Sequence, residues 1–132
     1  MVRPQRHGPT PKAKLKAMKK LEEIKKLSKR DKSILVKCRK AISNIDPKAD
    51  VIFFGSRARG DADPESDYDI IILTDREATL KKEDTFRCQL YPIELETGAV
   101  ITVMLETKKD WDSPMQQAMP LYQNIRRDGL FL

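Results

Sequence analysis

A chain of 132 residues, 39% hydrophobic, has room for one domain with a buried core and not for two of ordinary size. Its longest unbroken apolar runs, residues 51–54 and 70–73, fall far short of the roughly 20 residues that cross a bilayer, and two cysteines without CxxC spacing plus a single histidine argue against a zinc site or a disulfide framework. The net charge of +6 is uneven: residues 1–40 hold fifteen Lys/Arg against three Asp/Glu, while residues 41–132 hold eleven against seventeen, so the basicity belongs to the leader and not to the body.

In chain order, residues 1–11 contain Pro4, Gly8, Pro9 and Pro11 with few large apolar side chains and read as a disordered arm. From Lys12, the residues Leu15, Met18, Leu21, Ile24 and Leu27 recur at every third position among lysines, which predicts a weakly anchored helix. A second helix is expected to start at Asp31 or Ser33 as its cap, to bury Leu35, Cys38, Ile42 and Ile45, and to stop at Asp46-Pro47. Strands follow near 50–55 and 67–74, separated by a loop marked by Gly60, Asp61, Asp63, Pro64 and Ser66. Phe86, Leu90 and Ile93 have helical spacing within residues 80–96, where Pro92 should kink or split the helix and Gly98 should cap it. Residues 99–105 read as a strand, and a last helix should carry Leu121, Tyr122 and Ile125 as far as Gly129. Helices alternating with strands, without an internal repeat, predict a small α/β or α+β domain over residues 31–132, preceded by a basic helical leader over residues 1–30.

Residues 51–73, VIFFGSRARGDADPESDYDIIIL, carry the chemistry. Side chains alternate along a strand, so Asp67 and Asp69 share a face while Tyr68 points away. Two adjacent carboxylates repel unless a cation sits between them, and Mg2+ takes carboxylate and phosphate oxygens together. Gly55-Ser56 follows directly on a strand, where a tight turn can offer backbone N–H groups and a hydroxyl to a phosphate. The GxxxxGK[ST] pattern of a P-loop is absent. Arg57 and Arg59 have two readings, as phosphate contacts or as surface partners of Asp61 and Asp63.

Gly55-Ser56, ten residues and Asp67-Tyr68-Asp69 resemble the GSx10DxD signature of the minimal nucleotidyltransferases of the DNA polymerase beta superfamily, and the FFGSRARGD, SDYDIIIL, LYPIELETG and KKDW segments extend the resemblance over residues 33–132. The resemblance implies a mixed sheet with helices packed on one side. It implies an NTP, most simply ATP, held through Mg2+, and transfer of a nucleoside monophosphate to an acceptor hydroxyl with release of pyrophosphate. Gly55 and Ser56, with Arg57 and Arg59, would hold the phosphates, and Asp67 and Asp69 would be the catalytic metal ligands. It further implies protein adenylylation by an antitoxin-like partner of a HEPN-domain protein.

One departure stands out. Active members carry a third carboxylate on a later strand, whereas VITVM holds none: Thr102 occupies the expected position, with Glu94, Glu96 and Glu106 the nearest acids in sequence. Nucleotide or partner binding without turnover is therefore the alternative. Fifteen basic residues in the first forty also suit nonspecific nucleic acid, although no aromatic residue is interleaved among them for base stacking. Membrane-surface binding is disfavoured because the leader's apolar stripe lacks Trp and Phe. The absence of an apolar segment behind the positive start leads us to expect a cytoplasmic protein, and Trp111 is expected to close one end of the core.

Overall fold

The computed structural model describes residues 18–20, 27–60, 63 and 65–132. Helix α1 (Lys29–Ile45) is capped one turn earlier than expected, by Ser28, whose side chain accepts the Asp31 backbone N–H. Asp31 is instead carried inward with the buried face of the helix, which comprises Ile34, Leu35, Cys38 and Ile42.

Strand β1 (Asp50–Phe54) runs into Gly55 and the single helical turn α2 (Ser56–Arg59). Strand β2 (Tyr68–Thr74) returns antiparallel to β1, pairing Phe54 with Asp69 and Asp50 with Leu73. Helix α3 (Leu80–Thr97) is capped by Thr79 and closed by Gly98 in the left-handed conformation. Pro92 does not split it; the ring lies on an exposed side of the helix, where the carbonyl of exposed Cys88, deprived of its N–H partner, can turn to water. The chain then enters β3 (Ile101–Thr107), parallel to β2, so α3 is the crossover of a β-α-β unit. This strand starts two residues later than the sequence indicates, after a junction in which Thr97 Oγ1 accepts the Ala99 N–H and Glu94 Oε2 accepts the Ile101 N–H.

Three short helices follow, α4 (Lys108–Trp111), α5 (Pro114–Gln117) and α6 (Pro120–Asp128). A two-residue strand, β4 (Leu130–Phe131), then pairs antiparallel with β1. The sheet order is β3-β2-β1-β4, a mixed sheet of four strands.

Strand alternation divides the core. Val51, Phe53, Ile70, Ile72 and Val103 face the two long helices, meeting Leu35, Cys38 and Ile42 of α1 and Phe86, Leu90 and Ile93 of α3. The opposite face carries a smaller layer in which Ile52, Ile71 and Leu73 pack under Trp111, Tyr122 and Ile125. The rings of Trp111 and Tyr122 meet at a tilt of 45° with centroids 4.6 Å apart, and Trp111 is buried in this smaller layer.

Most of the leader helix expected from Lys12 onward lies outside the described residues. Those described are not helical and belong to the body: Lys20 bridges Phe131 in parallel, Lys19 O accepts the Phe131 N–H at 2.9 Å, Met18 is buried in the smaller layer and Leu27 in the larger. No helix of the described residues is long and apolar enough to cross a membrane.

Candidate functional site

Asp67 and Asp69 stand at the entrance of β2, on the face of the smaller layer. Tyr68 between them is buried on the other face. Asp69 lies directly opposite Phe54 on one side and Thr102 on the other, which sets it in the middle of the sheet. Asp67 is exposed and accepts a hydrogen bond from Thr102 Oγ1 at 3.3 Å. Partial burial, and secondarily the neighbouring Asp67 charge, push the Asp69 carboxyl above the usual carboxylate range. Among the described residues neither acid has an ion-pair partner.

Gly55 meets this pair at the end of β1. Its φ of 87° and ψ of −168° lie in a region almost reserved for glycine. An added Cβ would sit 2.4 Å from Asp69 Oδ2, so only glycine lets the turn lie against the carboxylate. Ser56 follows as the first residue of α2, half-buried. The turn and both carboxylates therefore converge at one end of the sheet.

The two arginines part company. Arg57, expected to reach phosphates, is buried and turned to the far side of β2: its guanidinium bonds Asp31 Oδ1 at 3.1 Å and the Ser66 carbonyl, and lies 4.4 Å from the centre of the Tyr68 ring. That placement removes it from the carboxylate face. Arg59 remains exposed near Asp128 at the end of α6, whose carboxyl is held below its ordinary range chiefly by its hydrogen bond to Arg127 and to a smaller extent by Arg59.

None of the three glutamates completes the acidic pair. Glu94 Oε2 accepts the Ile101 N–H at 3.0 Å, and Glu96 is 2.7 Å from Lys37 on the outer side of α1. Glu106 shares the face of Asp69 but pairs with Leu73, four residues along β3 from Thr102, or roughly 13 Å at strand spacing. Its carboxyl is raised by burial and by Asp110, not by the site acids. Thr102, with a hydroxyl, stands where the third acid would be.

A cleft of about 90 Å³ between Ile45, Thr74, Phe86 and Leu105 lies at the other end of β2. Its buried acid, Asp46, is already bonded to Thr74 Oγ1 and the Lys48 N–H.

The family model of the nucleotidyltransferase domain matches residues 35–119, well over half of the chain. The chain belongs to the nucleotidyltransferase domain family. No curated protein matches it. The matched region of this nucleotidyltransferase domain includes the Gly55 turn, both carboxylates and Thr102, and leaves out α6, β4 and the residues before Leu35. Such domains commonly use a divalent ion, and the donor set here fits one in part: two carboxylates without a cation partner and a hydroxyl form the incomplete oxygen shell that suits Mg2+ when substrate phosphates supply the rest. No group of three or more metal-binding side chains occurs among the described residues.

Proposed function

We propose that this nucleotidyltransferase domain takes an NTP, with ATP as the reference substrate, and transfers its nucleoside monophosphate to an acceptor hydroxyl. The acceptor oxygen attacks the α-phosphorus, the bond from that phosphorus to the pyrophosphate oxygen breaks, and the acceptor proton passes to solvent. The observation that carries this reading is the contact between the Gly55 turn and Asp69, which makes a phosphate-sized approach and an acidic pair parts of one site. Gly55 and Ser56 hold the outer phosphates through backbone N–H groups and the hydroxyl. Asp67 and Asp69 would hold Mg2+, which would screen the triphosphate and stabilise the leaving pyrophosphate. Thr102 orients Asp67 through its hydrogen bond. The resemblance to minimal nucleotidyltransferases extends the proposal to a protein acceptor, a HEPN-domain partner, and to a cytoplasmic setting.

A second reading, nucleotide binding without turnover, is favoured by one observation, the threonine at the register position of a third acid. Incubation with α-labelled ATP, Mg2+ and a candidate acceptor separates the two. Label on the acceptor, lost in Asp67→Asn/Asp69→Asn, is expected for transfer; equal labelling by wild type and double variant sinks it. Mg-dependent ATP binding without labelling, together with labelling gained in Thr102→Asp, is the result expected of the second reading.

A further inference from the structure

A buried polar cluster among the described residues lies behind the carboxylates, and the phosphate chemistry does not use it. Arg57 donates from Nε at 3.1 Å and from Nη2 at 2.8 Å to one acceptor, the carbonyl of Ser66, the residue immediately before Asp67. It covers the ring of Tyr68, the residue immediately after. Its Nη1 reaches Asp31 Oδ1, which also accepts the Tyr68 hydroxyl. Asp31 and Arg57 are 8% and 9% exposed, so water dilutes neither charge and the pair compensates part of the burial cost of both. Tyr68 is further pinned by its backbone N–H on the Val100 carbonyl at 2.8 Å.

We propose that Arg57, anchored by Asp31, is a positioning residue for Asp67 and Asp69. It grips the chain on both sides of Asp67, whose own side chain has, among the described residues, only the exposed Thr102 hydroxyl to hold it. The same short turn thus fixes the acidic pair from two directions: Gly55 presses on Asp69 from the site face, and two residues later Arg57 holds Ser66 and Tyr68 from the core face. A guanidinium is suited to this work because its fixed fork serves a carbonyl and a carboxylate at once while stacking on an aromatic ring, which an ammonium cannot do. Asp31 lies in the first turn of α1, before the start of the matched family region at residue 35. The inference rests on the reading of Asp67 and Asp69 as metal ligands, and its test includes a measurement that does not.

That measurement is hydrogen exchange on the metal-free protein. In Arg57→Lys and Asp31→Asn, amides 67–69 are expected to exchange about tenfold faster while the amides of α3 keep their protection, with Tyr68→Phe, which retains the ring, showing a smaller effect. Uniformly faster exchange marks general destabilisation and overturns the proposal, as does unchanged exchange at 67–69. The second measurement is Mn2+-ATP affinity by electron paramagnetic resonance at a temperature where every variant is folded. Arg57→Lys and Asp31→Asn should each weaken it by about 10-fold or more, as loss of outer partners of metal ligands does. They should weaken it less when Asp67→Asn is already present. A loss confined to Arg57→Lys, with Asp31→Asn at wild-type affinity, assigns Arg57 to the phosphates and overturns the clamp. Wild type that fails to bind Mn2+-ATP ends the metal-site reading, while exchange at 67–69 still decides whether Arg57 holds the segment.

Discussion

At the scale of single residues, the site is governed by how closely unlike groups are pressed together. Gly55 combines a positive φ with an Asp69 oxygen 2.4 Å from where a Cβ would stand. Gly55→Ala is therefore expected to cost about 1–3 kcal/mol in stability from backbone strain and, by displacing Asp69, to abolish Mg-dependent ATP binding; urea melts and calorimetry read the two effects separately. Asp69 itself carries a cost for its position. Its raised pKa means that folding favours the protonated acid, so its contribution to stability is greatest below the ordinary carboxylate range and is lost as pH rises through the folded-state value. Asp69→Asn should raise Tm near neutral pH, change it little at about pH 3 where both states bind the proton, and remove the rise in Tm that Mg2+ gives the wild type. The glycine, the serine and the two acids were legible in sequence because turn and strand alternation fix where they point. The inward turn of Arg57 was not, since it depends on Asp31, twenty-six residues earlier, and no local pattern links the two.

Among the elements, α1, β1, β2 and α6 follow their hydrophobic spacing closely, because each helix buries one face against a layer and the two strands supply both layers by alternation. The boundaries that moved lie where side chains bond the backbone: Ser28 took the cap of α1, and Glu94 with Thr97 bond the junction before β3. Strand β4 was invisible, since two residues have no periodicity and pair only because β1 offers an open edge. Helix α3 is the instructive exception, unbroken despite Pro92. A proline inside a helix costs roughly 3 kcal/mol relative to alanine, and packing of Phe86, Leu90 and Ile93 offsets it here. Pro92→Ala is expected to stabilise the domain by about 1–3 kcal/mol, seen as a higher urea midpoint with an unchanged m-value, and to leave ATP binding alone because the ring is exposed on α3, which packs on the sheet face opposite the carboxylates.

For the whole molecule, the division at residue 30 does not coincide with the edge of the packed body. Met18 sits under Gly129, where an added Cβ would meet its Cε at 3.0 Å and Ile52 Cγ2 at 2.8 Å, so leader and sheet are fitted to one another without spare room. Met18→Ala should cost about 2–4 kcal/mol, and deletion through residue 28, which also removes buried Leu27, should cost more than that single variant; both are read from urea unfolding followed by Trp111 fluorescence. The pairing of Lys20 with Phe131 has a further consequence for how the protein is made. The ribosome delivers β1, α2 and β2 together, so the glycine turn and its acids can assemble on a nascent chain. Lys19 and Lys20, although synthesised earlier, have no strand to join until residue 131 emerges. Until then the outer edge of β1 stays open to stray strands, and the emergence of Leu130 and Phe131 is the moment at which that edge is sealed.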